Sequence, residues 1–178
     1  MKATIKKDLY RYGGTTSFLT GIRKEGFRYT YFLRKASTYK KFSPFGLTYR
    51  LILKRLSYKY GFQIPINTKI KEGFYINHYG PLVINEGATI GKNFTVSQSV
   101  TVGQANRGKR KGCPIIKDNV FVGAGSVIVG NVVIGNNVLI APNSYVNTDV
   151  PDNSIVMGNP ITVIQKENAT EGYINFTV

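Results

Sequence analysis

A branched apolar residue returns at every sixth position through most of the second half of this chain. An α-helix repeats every 3.6 residues and a strand every two, so a sustained period of six indicates that the backbone turns a corner after each short strand. One repeat cannot bury its apolar residue alone, so successive coils must stack around a shared core. The pattern predicts a solenoid of short parallel strands. The residues that keep the step are Ile64, Ile70, Ile76, Leu82, Ile84, Ile90, Val96, Val102, Ile116, Val122, Ile128, Ile134, Ile140 and Val146.

Two interruptions divide the periodic region. The first is a slip of two residues around Tyr79 to Leu82, just after the single histidine, after which Ile84 resumes the step. The second is residues 104–114, which read QANRGKRKGCP without any apolar period and are expected to form a loop extruded from one corner. We therefore predict a solenoid over residues 62–164 and an irregular tail over 165–178. A second set of inward residues is expected four positions after periodic ones: Ala88, Val100, Val120, Ser126, Val132, Val138 and Ser144.

Residues 1–61 differ in composition and are predicted to be α-helical. The first 60 residues hold 15 of the 24 lysines and arginines but only two acids, Asp8 and Glu25. The clearest helix follows Ser43, a residue type favoured at N-caps, and it ends at Gly61, a residue type favoured just past a helix C-terminus. Its apolar residues are expected to pack as one stripe: Leu47, Leu51, Ile52, Leu56 and Tyr60.

The net charge of +15 leaves three classes of partner open, namely nucleic acid, an anionic membrane surface and a phosphorylated ligand. No DNA-reading motif is present in the sequence, so nucleic acid is not expected. Like charges lie four apart at Arg50 and Lys54 and at Arg55 and Lys59. These pairs favour either peripheral contact with an anionic membrane through the basic N-terminal region or simply two solvated edges.

The single cysteine, Cys113, excludes an intramolecular disulfide. No stretch approaches the roughly 20 apolar residues that a membrane-spanning helix needs, and the N-terminus lacks an apolar signal segment. These features predict a cytoplasmic protein.

Four stretches carry a resemblance to a known family: FYINHYGPLVINEGATIG, SQSVTVGQ, VFVGAGSVIVGNVVIGNNVLIAPNSYV and DVPDNSIVMGNP. In this order they resemble the left-handed parallel β-helix acyltransferases, and most closely serine acetyltransferase and related O-acetyltransferases found with polysaccharide genes. The resemblance implies a mainly β fold, a left-handed β-helix preceded by α-helices, and acetyl-CoA as co-substrate. It also implies a homotrimer in which each active site lies between two neighbouring β-helices.

His78, within NHYGPLVI, matches the histidine that this family uses as general base. An imidazole can take the proton of an acceptor hydroxyl near neutral pH, while the hydroxyl oxygen attacks the acetyl thioester. The resemblance implies direct transfer through a tetrahedral intermediate, whose oxyanion needs backbone N–H donors. Gly103 matches the glycine that is a candidate for such a donor. A lone histidine with a structural role is the alternative.

Three positions depart from the serine acetyltransferase pattern. Gln63 replaces the aspartate that orients the base in the family, and Asn77 replaces the aspartate directly before the base. Cys113 replaces the histidine that helps to hold serine. Glu86 keeps the family's glutamate and is a candidate source of negative potential, whereas Gln63 and Asn77 offer side-chain carbonyls without charge. These departures disfavour serine as the acceptor.

The resemblance also assigns candidate acetyl-CoA contacts. The pantetheine arm is expected against the corner residues Gly123, Ala124, Gly125, Ala141 and Pro142, although corner glycines also serve as plain turn residues. The phosphates need cations, and Thr162 stands where the family has a basic residue. The candidate cations are Arg107, Lys109, Arg110 and Lys111 in the loop and Lys166 after the last coil. Arg110 and Lys111 are also candidates, with Cys113, for contacts to the acceptor.

These observations favour an acetyl-CoA-dependent O-acetyltransferase whose acceptor is a hydroxyl of a sugar or polysaccharide precursor. Serine O-acetyltransferase is the first alternative, and a noncatalytic basic binding solenoid is the second. The γ-type carbonic anhydrases share the fold but bind zinc through three histidines. One histidine per chain does not supply that set, so no metal is expected.

Overall fold

The computed structural model describes residues 2–178, with four helices followed by fifteen short strands. The helices are α1 (Lys2–Tyr10), α2 (Phe18–Gly21), α3 (Glu25–Thr38) and α4 (Pro44–Tyr60). The strands are β1 (Phe62–Gln63), β2 (Lys69–Ile70), β3 (Tyr75–Ile76), β4 (Leu82–Ile84), β5 (Thr89–Ile90), β6 (Thr95–Val96), β7 (Thr101–Gly103), β8 (Ile115–Ile116), β9 (Val120–Val122), β10 (Val127–Val129), β11 (Val133–Ile134), β12 (Val138–Ile140), β13 (Tyr145–Val146), β14 (Ser154–Gly158) and β15 (Ile161–Gln165).

The strands form three sheets, and each of the first four coils adds one strand to each sheet. In the last coil the second sheet is continued only by an isolated bridge between Ile134 and Val150. The first sheet runs β1-β4-β7-β10-β13, the second β2-β5-β8-β11, and the third β3-β6-β9-β12-β14-β15. All pairings between coils are parallel, and only β15 folds back antiparallel on β14. This is the triangular solenoid that the period of six predicts. The fold class, a left-handed parallel β-helix preceded by helices, is confirmed.

The core of the solenoid consists of the periodic residues. All fourteen are buried, the most exposed being Ile70 at 8%. The second predicted set is buried as well, from Ala88 to Ser144. The two serines in that set keep their hydroxyls bonded, because both Ser126 and Ser144 donate to the Ala141 carbonyl at 2.8 and 2.7 Å. Burial of these hydroxyls therefore leaves no donor unpaired.

The slip of two residues is a longer corner in the first coil. Ile76 and Ile84 are eight positions apart, whereas Val96 and Val102, directly above them, are six apart. The two extra residues lie in the connection from β3 to β4, at residues 77–81. This connection carries His78.

Helix α4 begins and ends where the sequence predicts. The Ser43 hydroxyl accepts from the Gly46 N–H at 3.1 Å, and Gly61 takes the left-handed conformation, with φ of 78°. The expectation of one packed stripe is wrong for two of its residues, since Leu47 and Leu51 are 52% and 70% exposed.

The reason for this error is the direction of packing. Helix α4 packs on α3 and β1 through Leu53, Leu56 and Tyr60, which lie on the opposite side of the helix from Leu47 and Leu51.

Within residues 2–178, no helix combines the length and the apolar character needed to span a membrane.

After β15 the chain returns along the outer face of the third sheet. The ring of Tyr173 packs on Phe121 with centroids 4.9 Å apart, and the Val178 N–H donates to Asn93 Oδ1 at 2.9 Å. The Asn175 carbonyl accepts from Arg11 Nε at 2.9 Å. The tail therefore connects the last coil with the turn that follows α1.

Candidate active site

His78 lies exposed on the lengthened corner between β3 and β4. Its imidazole forms no hydrogen bond or ion pair with any residue in the described range 2–178. Neither Gln63 nor Glu86 contacts it within hydrogen-bonding distance. The neighbouring Asn77 lies on the same corner, and its Oδ1 accepts from the Tyr75 hydroxyl at 3.4 Å. Both ring nitrogens of His78 are therefore free to bind a ligand.

A cavity of about 420 Å³ separates this corner from the helical region. It is lined by Tyr12, Gly13, Lys24, Glu25, Gly26, Tyr75, Ile76, Asn77, His78 and Tyr79. Its volume is in the range of small-molecule sites.

One wall of the cavity is held in place by Tyr12. The Tyr12 hydroxyl accepts from the Ile76 N–H at 3.1 Å, and its ring lies 4.5 Å from the ring of Tyr75. Burial raises the pKa of Tyr12 well above its usual value, so this hydroxyl stays neutral. Tyr12 thus positions the wall, and it has no free charge to offer a ligand.

The helical region is anchored to the first coil by a buried carboxylate. Asp8 is fully buried and accepts from the Gly73 and Phe74 N–H groups at 2.8 and 3.0 Å. Arg34 Nε donates to the same carboxylate at 2.9 Å. Because the acceptor lies on α1 and the donors lie on α3 and in the turn before β3, this cluster fixes α1 and α3 against the strand that leads to His78.

Two charged residues, Lys24 and Glu25, line the cavity at the start of α3. Gly26, next to them, approaches Ile76 so closely that a Cβ at this position would collide with the Ile76 carbonyl and the Tyr12 hydroxyl. Neither charged group has a side-chain partner in the part of the chain that the structure describes. The cavity therefore presents one cation, one anion and one imidazole, all unpaired.

Gln63 and Glu86 lie together, but apart from this cavity. They line a second, open cavity of about 870 Å³ beside α4 and β1. Gln63 pairs with Val83 in the first sheet, and Glu86 accepts from Asn67 Nδ2 at 2.8 Å. Within one chain the structure thus separates these two candidates from His78, whereas Asn77 stays beside it.

The extruded loop leaves the solenoid between β7 and β8, and Cys113 lies near its end. The Cys113 thiol is half-buried and donates to Asn85 Oδ1 at 3.3 Å. In the same loop, Arg110 forms an ion pair with Asp149 at 2.8 Å, while Lys111 is exposed. The loop corner joins the first sheet to the second, whereas the His78 corner joins the third sheet to the first. His78 and Cys113 therefore lie on two different edges of one protomer.

The candidate cofactor residues of the later coils lie on the same edge as His78. This edge continues upward through Gln98, Ala124 and Asn143, because the Gly125 N–H donates to the Gln98 carbonyl and the Asn143 N–H to the Ala124 carbonyl, at 3.1 and 2.9 Å. Pro142 lies exposed beside Asn143. The base and this set of residues are therefore aligned along one edge of the solenoid.

The backbone donors of these corners are used within the solenoid. The Gly123 N–H donates to the Ile140 carbonyl and the Ala141 N–H to the Val156 carbonyl, each at 2.8 Å. A Cβ on Gly123 would lie 2.6 Å from the Pro142 nitrogen, so packing between coils already requires glycine there. Contact of these residues with a cofactor stays a prediction.

Gly103 and Lys166 lie elsewhere. Gly103 ends β7, where it pairs with Val129. Lys166 lines a cavity of about 410 Å³ on the outer face of the third sheet, together with Ala141. In residues 2–178 no group of three or more His, Cys, Asp or Glu side chains is arranged to hold a metal ion.

Comparisons with known proteins identify relatives of the chain. A family model described as bacterial transferase hexapeptide (six repeats) matches residues 113–148. Serine acetyltransferase of Staphylococcus epidermidis is 38% identical over 123 residues, which cover 69% of this chain and 58% of that protein. The structure of Neisseria gonorrhoeae serine acetyltransferase in complex with serine has a TM-score of 0.74 at 26% identity, covering 92% of this chain and 68% of that one.

This chain is a hexapeptide-repeat protein of serine acetyltransferase-like character. The structure of the Brucella abortus serine acetyltransferase in complex with coenzyme A is similar to the same extent, with a TM-score of 0.75, 26% identity and coverage of 92% of this chain and 66% of that one. The family resemblance seen in the sequence is confirmed.

The hexapeptide-repeat chain spans little more than half the length of the sequence relatives that it matches, with 58% of the Staphylococcus epidermidis protein and 53% of the Staphylococcus aureus protein. Lys24 and Glu25, which line the His78 cavity, are not among the residues predicted from the sequence. One signal could have pointed to them, because Glu25 is one of only two acids in a strongly basic segment and directly precedes a glycine.

Proposed function

We propose that this protein is an acetyl-CoA-dependent O-acetyltransferase and that His78 is its general base. One observation carries the proposal: an exposed, unpaired imidazole lies in a cavity of about 420 Å³, on the edge that also bears the candidate cofactor residues. The relatives and solved structures named serine acetyltransferase support the same chemistry.

In the proposed reaction His78 takes the proton of the acceptor hydroxyl while that oxygen attacks the thioester carbonyl of acetyl-CoA. The tetrahedral intermediate collapses with cleavage of the carbon–sulfur bond. The proton then passes from the imidazolium to the departing CoA sulfur, and the products are the acetyl ester and free CoA. Backbone N–H groups hold the oxyanion. Gly103, which ends β7 beside the extruded loop, is a candidate donor from the neighbouring protomer of a trimer.

Serine is the acceptor that the observations favour. The cavity offers a cation at Lys24, an anion at Glu25 and a base at His78, which match the carboxylate, the ammonium and the hydroxyl of a free amino acid. The structures of relatives include complexes with serine and with cysteine. The preference for a sugar acceptor, drawn from the sequence alone, finds no support among the relatives.

A sugar hydroxyl is kept as the second candidate for one reason. Gln63, Asn77 and Cys113 stand where serine acetyltransferases have two aspartates and a histidine, and the structure does not bring Gln63 or Cys113 into the His78 cavity. If Lys24 and Glu25 bind serine instead, the loss of these family residues no longer argues against serine as the acceptor.

We also propose that the protein is a homotrimer, because His78 and the loop with Cys113 lie on separate edges of one protomer and only a second protomer can bring them together. In a trimer with sites between neighbouring solenoids, the loop of one protomer approaches His78 of the next. The loop cations, including Lys111, would then be near the phosphates of acetyl-CoA. A cytoplasmic location remains a prediction.

The test is release of free CoA thiol, measured with serine or with a nucleotide sugar as acceptor. We expect turnover with serine, and a decrease of about 10² to 10⁴ in kcat for His78→Ala. Lys69→Gln, an exposed lysine on β2, serves as a control that keeps full activity. Turnover with the nucleotide sugar but not with serine would identify the sugar as the acceptor. Full activity of His78→Ala would refute the proposed role of His78 as the base. Absence of any turnover would favour a noncatalytic solenoid.

A further inference from the structure

The outward face of α4 is unusually apolar for an exposed helix. Leu47, Leu51 and Tyr58 are 52%, 70% and 81% exposed and share one side of the helix. Phe42, just before the helix, is also exposed, at 79%. Phe45, 65% exposed, lies on the other side of α4, with its ring 5.8 Å from the ring of Tyr39. We call Leu47, Leu51 and Tyr58 the outer α4 face. None of them is needed for the core, which α4 contacts through its opposite side.

Cations border this apolar surface on both sides. Lys54 lies on one side of the stripe, and Arg55 and Lys59 lie on the other, all of them exposed. Lys40 and Lys41 add two more charges beside Phe42. None of these five cations joins an ion pair in the described residues 2–178. The sequence has no acid between Glu25 and Glu72, so no carboxylate on α4 balances them.

We propose that the outer α4 face docks on an anionic lipid surface. Helices that lie in a membrane interface combine an apolar face rich in Phe and Leu with flanking Lys and Arg, and they bind through both. The apolar residues enter the boundary between headgroups and acyl chains, while the cations contact anionic headgroups. The outer α4 face has both components in this arrangement.

The charge pattern favours lipid over a second copy of the chain. A two-fold contact through this face would bring the same unpaired cations of two copies together, which is repulsive. Nucleic acid would satisfy the cations, but it would leave Leu47 and Leu51 in water. A lipid surface satisfies the charges and also buries the leucines.

Docking has a consequence for the neighbouring cavity. Lys54 and Tyr58 also line the open cavity of about 870 Å³ that contains Gln63 and Glu86. A protein held by the outer α4 face would therefore keep this cavity close to the headgroup layer.

The experiment is co-sedimentation of the full chain with vesicles of phosphatidylcholine alone or with 30 mol% phosphatidylserine. We expect binding to the anionic vesicles only, and weaker binding as salt is raised. Lys54→Glu/Arg55→Glu should weaken the affinity for anionic vesicles by at least about tenfold. Lys2→Glu/Lys6→Glu on α1 gives the same change in net charge and should have a much smaller effect.

A matched pair of leucines tests the apolar component. Leu51→Ser should reduce vesicle binding several-fold, because it removes an apolar side chain that enters the interface. Leu19→Ser changes a leucine of nearly equal exposure, 72% against 70%, on α2, and should leave binding unchanged. All four variants alter exposed residues, and their folding is checked by circular dichroism.

Four results would overturn the proposal. The first is equal affinity for neutral and anionic vesicles, or no affinity for either. The second is equal loss of binding in Lys2→Glu/Lys6→Glu, which would leave only net charge as the cause. The third is a change of oligomeric state in Leu51→Ser without lipid, measured by light scattering, which would identify the face as a contact between copies. Binding to duplex DNA but not to vesicles would likewise reject it.

Discussion

Lys24 and Glu25 are the residues on which acceptor selection depends in the proposed mechanism. They reach the cavity because Gly26 permits close contact between the start of α3 and strand β3. A charged group that is free of protein partners can bind the opposite charge of a ligand at full strength. The carboxylate of Glu25 is therefore the proposed partner of the serine ammonium.

Replacement of Glu25 by Gln tests this role at the level of one charge. We expect the KM for serine to rise about tenfold or more, with kcat within about threefold, because a hydrogen bond to a charged group is lost in both the ground state and the transition state. Steady-state kinetics with varied serine measures both constants.

The control for Glu25→Gln is an acceptor without the ammonium group, 3-hydroxypropionate. Its kcat/KM should be the same in the variant and in the original protein. An unchanged KM for serine would remove Glu25 from the acceptor site, and His78 could still act as the base.

At the scale of elements, most strands of the solenoid face the core with one side and solvent with the other, whereas β6 and β12 are buried on both sides. In β10, Ile128 is fully buried, while its neighbours Val127 and Val129 are half-buried. The alternation follows from the two-residue period of a strand, and the six-residue step between coils brings each inward residue above the last. Stability of the stack should thus depend on the inward positions.

Two neighbouring positions of β10 allow an inward side chain to be compared with an outward one. Ile128→Ala should lower the free energy of unfolding by about 2 to 5 kcal/mol, because it removes buried methyl groups and leaves a cavity between coils. Val127→Ala, one residue earlier in the strand, should cost less than about 1 kcal/mol. Urea denaturation followed by circular dichroism measures both values. Similar losses in the two variants would contradict the assigned orientation of the strand.

At the scale of the whole molecule, the helices and the solenoid are joined by charged contacts around the first coil. Glu72 Oε1 lies 3.2 Å from Lys7 Nζ on α1 and 3.4 Å from Lys92 Nζ on the second coil. Its own backbone N–H, followed by the two lysines, lowers the pKa of Glu72 to about 2 from the usual 4.5. The contact therefore favours the ionised carboxylate in the folded state.

The pH dependence of stability follows from this lowered pKa. The stabilising contribution of Glu72 is fully present above pH 4.5, and it is lost as the pH falls toward 2. Because the side chain is partly exposed and screened by water, we expect Glu72→Gln to cost about 1 kcal/mol at pH 7. The difference from the original protein should shrink between pH 4.5 and 3 in urea denaturation. Glu171→Gln is the control, and a constant difference across this pH range would contradict the prediction.

Local patterns in the sequence were enough to predict the repeating part of the fold. The period of six identifies which residues face the core, because inward and outward directions in a stacked coil depend only on position within the repeat. The limits of α4 are local as well, since Ser43 and Gly61 cap it through contacts within one turn. The family motif around His78 likewise lies in one continuous stretch.

Contacts between distant segments were decided only by the tertiary structure. The cavity at His78 joins residues about 50 positions apart, and no short-range pattern reports that α3 begins against β3. The same is true of α4, whose apolar residues on two sides look alike in sequence until α3 covers Leu53 and Leu56 and leaves Leu51 in solvent. Periodicity determined which residues enter the solenoid core, whereas long-range packing determined which charges meet at the site and which apolar face stays open.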